Sequence, residues 1–155
     1  MAASDPDFRR RVADSFGRQG AMAHLGAELV RVDPGAVEIR LPYRPEVGQQ
    51  HGFFHGGIVA TIGDSAGGYA GYSLMPAGSS VLTVEYKINM VAPAKGDLLV
   101  ARGRVIKSGR TLTVCAVEVF AVDAGRETLC AAMQQTLICL ADRSDGPDTK
   151  LGAKP

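Results

Sequence analysis

Residues 56–73 constrain this chain most, because they form a long apolar segment without proline. The larger apolar side chains of this segment recur at helical spacing: Ile58, Ile62, Ala66 and Tyr69. This period places them on one face of a helix. The pattern therefore predicts a long helix that is buried in the core.

Three glycines of the predicted helix lie four residues apart, at Gly63, Gly67 and Gly71. Each glycine costs a helix interior about 1 kcal/mol relative to alanine. Their common face indicates that another backbone approaches the helix closely, and we expect a sheet or a second helix to pack there.

Asp64 is the only acidic or basic side chain of the predicted helix. Burial of a carboxylate without partners is costly, so an isolated carboxylate on an apolar helix is a candidate nucleophile or general base. Two structural roles fit the same pattern, namely an aspartate on an exposed stripe or the cap of a second short helix. The spacing alone leaves these alternatives open.

His55, Gly56 and Gly57 mark the start of this helix. The N–H groups of the first helical residues have no partner within the helix, and the helix dipole favours negative charge there. Gly56 and Gly57 are therefore candidate donors to a developing oxyanion. The favoured interpretation of His55 from position alone is a hydrogen-bonded turn residue.

The composition excludes several classes of partner. The 155 residues, 46% of them hydrophobic, predict one soluble domain, and the net charge of +1 gives no electrostatic reason to bind nucleic acid. No charge-free run reaches the roughly 18 apolar residues of a membrane helix. Residues 1–16 lack the apolar core of a signal peptide. No Cys/His spacing resembles a zinc site. The odd number of cysteines favours reduced thiols in the cytoplasm: Cys115, Cys130 and Cys139.

Hydrophobic periodicity and turn residues divide the rest of the chain. The predicted elements are an N-terminal helix (5–19), two hairpin strands (27–32 and 36–41), a loop (42–54), the central helix and four strands of an antiparallel meander (82–90, 98–106, 111–122 and 129–140). Residues 1–24 form the N-terminal helix and lead-in, 25–141 the main domain, and 142–155 a tail that we expect to be disordered. This order predicts an α+β fold whose curved antiparallel sheet covers the central helix.

The strand predicted for residues 82–90 alternates with a period of two. We expect one face to carry Leu82, Val84, Tyr86, Ile88 and Met90. The opposite face is then expected to carry Thr83, Glu85, Lys87 and Asn89.

Two stretches together resemble the PaaI-like acyl-CoA thioesterase family, which has the hotdog fold. They read QQHGFFHGGIVATIGDSAGGYA (49–70) and LTVEYKINMVAPAKGD (82–97). The HGG sequence, the aspartate at this offset and the polar pattern of the strand occur together, which is far more specific than HGG alone. The resemblance covers residues 26–140 approximately. It implies a curved sheet of five to six strands wrapped around the long central helix, with an N-terminal helix before it.

The resemblance also implies roles for individual residues. Gly56 would donate its N–H to the thioester carbonyl, and His55 would help to hold the loop or the acyl group. Asp64 would be the nucleophile or the base that orients a water, and Thr83 would help to hold that water. Gln49 occupies a position where many relatives carry asparagine and would help to place the thioester. No metal or cofactor is implied, since coenzyme A belongs to the substrate.

The spacing of Gly56 and Asp64 adds a condition. Eight residues separate them along one helix by about 12 Å and turn them about 80° apart, so both cannot easily serve one carbonyl from the same chain. An isologous dimer that lays two such helices antiparallel would bring Asp64 of one subunit to Gly56 of the other. The family resemblance further implies a dimer of dimers, that is, a homotetramer.

Two further sets of residues are candidates for substrate binding. Lys107, Ser108, Gly109 and Arg110 combine positive charge with backbone N–H groups in a turn, which suits the phosphates of coenzyme A. For the nearby Arg102 and Arg104, an ordinary solvated strand face is an equally good interpretation. Four aromatic residues could line an acyl pocket, although aromatic residues beside a buried helix commonly belong to the core: Phe53, Phe54, Tyr69 and Tyr72.

The sequence therefore predicts an acyl-CoA thioesterase that releases a free acid and coenzyme A. A noncatalytic acyl-CoA-binding hotdog domain is the alternative, and the presence of Asp64 argues against it. A hotdog hydratase is a third interpretation, but it requires an Asp/His pair within one loop that this sequence does not contain.

Overall fold

The computed structural model describes residues 1–146 and contains one six-stranded antiparallel sheet around a central helix. The helices are α1 (Phe8–Gly17), α2 (Gly20–Leu25) and α3 (Gly56–Tyr72), with a 3₁₀ turn at Pro45–Val47. The strands are β1 (Glu28–Asp33), β2 (Ala36–Pro42), β3 (Ser80–Met90), β4 (Leu98–Ser108), β5 (Leu112–Asp123) and β6 (Arg126–Leu140). Their order in the sheet is β1-β2-β4-β5-β6-β3. The predicted α+β class and the predicted central helix are confirmed.

The predicted meander holds for only three of its four strands. β4, β5 and β6 are consecutive neighbours, but β3 pairs with β6 and not with β4. The reason is that β2 occupies the other edge of β4, so that β3 finds its partner at the far side of the sheet. β3 is consequently an edge strand.

The N-terminal helix predicted over residues 5–19 is α1, and a separate short helix follows it. α1 buries Phe8 and Val12, and it lies against the C-terminal half of α3. Arg11 makes the main polar contact: it donates hydrogen bonds to the carbonyl oxygens of Tyr72 (3.3 Å) and Met75 (2.7 Å), and its Nε donates to Asp5 (2.8 Å). A guanidinium at the C-terminal end of a helix satisfies carbonyls that have no partner within the helix.

Most of the tail predicted for residues 142–155 lies outside the described residues. Within the described part, Asp145 accepts a hydrogen bond at 2.6 Å from Arg18, the residue directly after α1. This contact brings the chain after β6 back to the N-terminal helix.

The glycine face of α3 packs on the inner side of the sheet. A Cβ at Gly63 would lie 3.2 Å from the sulfur of Met133, and one at Gly67 or Gly71 would collide with Gln135 or Leu137. Four helical residues rise about 6 Å and two strand residues about 6.6 Å, so this row of glycines matches alternate residues of β6. The close approach expected from the sequence is confirmed, with the sheet as the partner.

This packing predicts opposite effects for two adjacent glycines. Gly67→Ala should lower the free energy of unfolding by about 1–3 kcal/mol, because the added methyl overlaps the Gln135 amide and lies 2.8 Å from Val117. Gly68→Ala is the matched control, since nothing lies within 4 Å of its Cβ position. Gly68→Ala should stabilise by up to about 1 kcal/mol through helix propensity. Equal effects in chemical denaturation would contradict the tight contact at Gly67.

Candidate functional site

The Asp64 side chain lies where α3 faces β3 and β6. The hydroxyl of Thr83, on β3, donates a hydrogen bond to Asp64 Oδ1 at 2.7 Å. Gln135, on β6, donates from Nε2 to the same oxygen at 2.5 Å and approaches the Asp64 carbonyl oxygen at 3.1 Å. The same Nε2 is 3.0 Å from Thr83 Oγ1. The side chains of Thr83 on β3 and Gln135 on β6 thus both bind the carboxylate that α3 supplies.

A β-bulge turns Thr83 toward this carboxylate. The pairing of β3 with β6 shifts between Thr83, which opposes Leu137, and Glu85, which opposes Thr136. Directly opposed residues share one face of a sheet, and Leu137 is fully buried on the inner face. Thr83 therefore points inward, whereas Glu85 points outward and hydrogen-bonds Thr136 at 2.8 Å.

For that reason the predicted faces of this strand are correct within residues 85–90 and wrong in where they place Thr83 relative to those residues. Strict alternation placed Thr83 on the same face as Glu85 and on the other face from Tyr86. The extra residue of a bulge reverses the alternation at one point. After the bulge Tyr86 opposes Gln135, so Thr83 and Tyr86 lie on the same face. The contact between Thr83 and Asp64 depends on this irregularity.

Gln135 is a site residue that the sequence analysis missed. Its side chain is fully buried, and its neighbours at alternate positions of β6 are the buried Met133 and Leu137. A polar residue at an inward position of an alternating strand is uncommon without a hydrogen-bonding partner. The sequence signal for Gln135 was therefore a polar residue that interrupts the alternating apolar positions of this strand.

The environment of Asp64 disfavours its charge. Burial raises the pKa of Asp64, and the hydrogen bond from Thr83 offsets part of the rise. The carboxylate lines a cavity of about 280 Å³ between α1, α3 and β3. In the wall of this cavity Ser15 and Tyr69 hydrogen-bond through their hydroxyls at 3.1 Å, and burial raises the pKa of Tyr69 to about 12. A carboxylate with a raised pKa beside a cavity has the properties of a general base or nucleophile.

The start of α3 is capped by His55. Its Nδ1 accepts a hydrogen bond from the N–H of Gly57 at 2.9 Å, so a neutral ring carries its proton on Nε2. The interpretation of His55 as a hydrogen-bonded turn residue is confirmed. In this structure the cap takes the N–H of Gly57, and the donor role of Gly57 toward substrate stays a prediction. The hydrogen bonds among residues 1–146 leave the exposed N–H of Gly56 without an acceptor.

The loop before α3 folds back on itself. The amide oxygen of Gln49 accepts from the N–H of His51, and the N–H of Gln49 donates to the Phe53 carbonyl at 2.8 Å. The NH₂ group of Gln49 makes no hydrogen bond among residues 1–146, and the role of this side chain in placing the thioester stays a prediction.

The structure does not support the substrate-binding role predicted for Phe54. Its side chain is 3% exposed and makes an edge-to-face contact with Tyr43, with 5.1 Å between ring centroids. Phe54 therefore belongs to the core. Tyr72 is likewise buried, whereas Tyr69 lines the cavity beside Asp64.

The residues predicted to bind phosphate lie on the turn between β4 and β5, where residues 107–110 are all exposed. The N–H of Gly109 donates to the Leu112 carbonyl at 2.8 Å, so it is not available to a phosphate. Arg102 belongs to a strand-face ion-pair network with Glu38 and Glu127. The solvated-face interpretation is thus confirmed for Arg102, and the phosphate contact of Lys107, Ser108 and Arg110 stays a prediction.

Within one chain the site is divided in two. The cavity beside Asp64 includes Thr83 but none of the residues at the start of α3. Residues 1–146 contain no group of three or more His, Cys, Asp or Glu side chains that could hold a metal ion. Over the same residues no helix is long and apolar enough to cross a membrane.

Comparisons with known proteins agree with this architecture. A long helix covered by a curved antiparallel sheet defines the hotdog fold, and the family model of the thioesterase superfamily matches residues 51–128. The chain belongs to the thioesterase superfamily and is a hydrolase that acts on thioesters.

Three similar proteins illustrate this relationship. A thioesterase family protein from Silicibacter pomeroyi is 47% identical, with a TM-score of 0.85 over 86% of this chain and 98% of its own. A putative esterase from Halobacterium salinarum is 33% identical over 77% of this chain and 82% of its own. The E. coli PaaI protein from the phenylacetic acid degradation operon shares the fold, with a TM-score of 0.77 and 19% identity over 87% of this chain and 94% of its own. The PaaI-like resemblance is confirmed.

Asp64→Asn removes the negative charge of this side chain and keeps its shape. Asparagine can still accept from Thr83 and Gln135 through its amide oxygen, but it is a poor base, so we expect kcat for thioester hydrolysis to fall by at least about a hundredfold. Wild-type turnover in the folded variant would remove Asp64 from the chemistry.

The same variant should be more stable than the wild type at neutral pH. A carboxyl whose pKa is raised by folding keeps its proton to higher pH in the folded state, so its penalty is absent below the pKa of the unfolded chain, grows as pH rises from there to the folded pKa, and is constant above it. The gain from Asp64→Asn should therefore disappear below the ordinary aspartate pKa in denaturation experiments. A gain independent of pH would contradict this origin.

Proposed function

We propose that this protein hydrolyses an acyl- or aryl-acyl-CoA thioester to the free acid and coenzyme A. Asp64 is the nucleophile or general base, and the N–H of Gly56 polarises the thioester carbonyl. The site is shared across the interface of a homodimer. The observation that carries the proposal is the carboxylate of Asp64, held by Thr83 beside a cavity in a member of the thioesterase superfamily.

The chemistry needs no further group. In the general-base form, a water oxygen bonds to the carbonyl carbon while its proton passes to Asp64; the C–S bond then breaks, and the CoA sulfur takes the proton. In the nucleophilic form, Asp64 bonds to the carbonyl carbon and displaces the CoA thiolate, and water then hydrolyses the anhydride. In both forms negative charge develops on the carbonyl oxygen, where a helix-start N–H stabilises it.

The shared site is supported by the surface of β3. This edge strand exposes apolar side chains to an unusual extent, with exposed fractions of 54% for Leu82, 56% for Val84 and 49% for Met90. An exposed apolar edge is a natural pairing surface, and two-fold pairing there would place the two α3 helices antiparallel. Assembly of two such dimers into a homotetramer is the corresponding proposal from family resemblance.

Coenzyme A binding and cellular location complete the proposal. The exposed basic turn with Lys107, Ser108 and Arg110 is the candidate contact for the CoA phosphates. A cytoplasmic location is supported by three cysteines that are all free, two of them buried.

A panel of acyl-CoAs with a thiol reagent tests this function. Aliphatic chains of increasing length and aryl-acyl groups should include at least one thioester that releases free thiol with turnover. Binding without release would favour the noncatalytic acyl-CoA-binding domain. Addition of water to an enoyl-CoA would indicate a hydratase.

Gly56→Val should impair hydrolysis while the fold is kept. A Cβ at Gly56 meets only the flexible end of Met90, at 3.5 Å, so the side chain fits the chain itself. It would crowd a carbonyl approaching the backbone N–H, and we expect kcat/KM to fall by about ten- to a hundredfold. Gly20→Val is the matched control at the first residue of α2, where nothing lies within 4 Å of the Cβ position. Equal losses in both variants would contradict the role of Gly56.

Mixing two inactive variants tests the shared site. In a dimer of one Asp64→Asn chain and one Gly56→Val chain, one site carries both changes and the other carries neither. Random reassortment makes about half of the dimers mixed, each with one intact site of two, so co-refolding should restore about a quarter of wild-type activity. Activity that stays at the average of the two variants would place both residues in one chain.

A further inference from the structure

Gln135 is the most deeply buried polar side chain at the site. It is fully buried on β6, and its Nε2 lies within hydrogen-bonding distance of three oxygens: Asp64 Oδ1, the Asp64 carbonyl oxygen and Thr83 Oγ1. Its Oε1 is buried and has no hydrogen-bond partner among residues 1–146. An amide buried at such cost requires a compensating role.

The orientation of this amide follows from charge. With Nε2 toward Asp64, its N–H groups meet acceptors only, whereas the flipped amide would place Oε1 against a carboxylate oxygen and a carbonyl oxygen. The opposite end of the amide lies against Gly67, at a point where any Cβ would collide with Oε1. The glycine in α3 therefore makes the room that brings this amide to Asp64.

The hydrogen bonds to the carboxylate are unevenly distributed. Both bonds that residues 1–146 donate to it, from Thr83 and from Gln135, end on Oδ1. Thr83 can donate to Asp64 only with its single proton, and its oxygen accepts from Gln135 at 3.0 Å, which fixes the direction of the hydroxyl. The three groups form a closed network on one side of the carboxylate.

We propose that Gln135 is a positioning residue, which together with Thr83 holds Oδ1 of the ionised Asp64 and leaves Oδ2 as the oxygen that attacks or takes the proton. This assignment rests on the function proposed above. Gln135 acts through Asp64 and does not itself contact substrate.

The proposal makes a prediction about ionisation. Donors to a carboxylate favour its charged form, and burial opposes it, so loss of the Gln135 donor should raise the pKa of Asp64 further. The other titratable groups that face this region are Tyr69 of α3, Asp145 of the C-terminal segment, Tyr86 of β3 and Cys115 of β5. Burial raises the pKa of the Cys115 thiol to about 12, so the thiol is neutral at the pH of the test. Arg18, directly after α1, pairs with Asp145.

The first test uses NMR titration and needs no substrate. In the wild-type protein, the ¹⁵N and ¹H shifts of the Gln135 side-chain amide should follow the ¹³C titration of the Asp64 carboxyl, and this dependence should vanish in Asp64→Asn. In Gln135→Met the Asp64 titration should move up by roughly one pH unit. The isosteric Gln135→Glu provides a second variant that still fits over Gly67, and its added negative charge should move the titration in the same direction.

Gln134→Met is the matched control for these variants. Gln134 is the preceding residue of β6, and its side chain is exposed on the other face. It should leave the Asp64 titration unchanged. A Gln135 amide that ignores the Asp64 titration, or a folded Gln135 variant with an unchanged titration, would overturn the proposal.

The second test is kinetic and uses the best substrate of the acyl-CoA panel. Gln135→Met should lower kcat by about ten- to a hundredfold with KM nearly unchanged, and should move the acidic limb of kcat/KM to higher pH. A purely structural role would lower the amount of folded enzyme without moving that limb. If the wild type releases no thiol from any acyl-CoA, the proposed function fails, but the NMR result still decides whether Gln135 controls Asp64.

Discussion

The close contact between α3 and the sheet is the constraint on which the rest of the structure depends. Glycines on both the helix and the sheet permit this contact. On the sheet, a Cβ at Gly103 of β4 would overlap the backbone of Ala66 and Gly67. The loss of helix propensity at the glycines is offset by denser packing against the strands. Because the helix backbone lies so near β6, a side chain as short as glutamine reaches across to Asp64.

The carboxylate of Asp64 is held by irregular parts of the fold. The bulge in β3 brings Thr83 to the inner face, and the inward polar residue on β6 interrupts an otherwise apolar layer. Bulges next to active sites commonly redirect one side chain, and hydrogen bonds within a buried polar network offset part of the cost of burying its members. A regular strand with an apolar residue at position 135 would pack well and would leave the carboxylate without donors.

The sequence predicted the helices and strands more accurately than it predicted which strands are neighbours in the sheet. The length of α3, its glycine face and the isolated Asp64 are local patterns, so periodicity was sufficient to predict them. The neighbour of β3 depends on which strand edge remains free after β2 has paired with β4, which is a property of the whole sheet. The bulge had no local signature, and therefore alternation assigned Thr83 to the wrong face. Gln134 and Gln135 are identical residues, and the register of β6 buries Gln135 with Met133 and Leu137 while it exposes Gln134.

The proposed dimer follows from how one helix carries both parts of the site. The start of α3 offers the free N–H of Gly56, and its middle carries Asp64, about 12 Å further along the axis. In the proposed mechanism a single chain holds these groups too far apart to act on one carbonyl, and two antiparallel helices would bring each to its counterpart. β3 both supplies Thr83 and exposes the apolar edge that would pair in such a dimer. The strand that positions the carboxylate would therefore also complete the site, so that in the proposed dimer assembly and catalysis depend on the same residues.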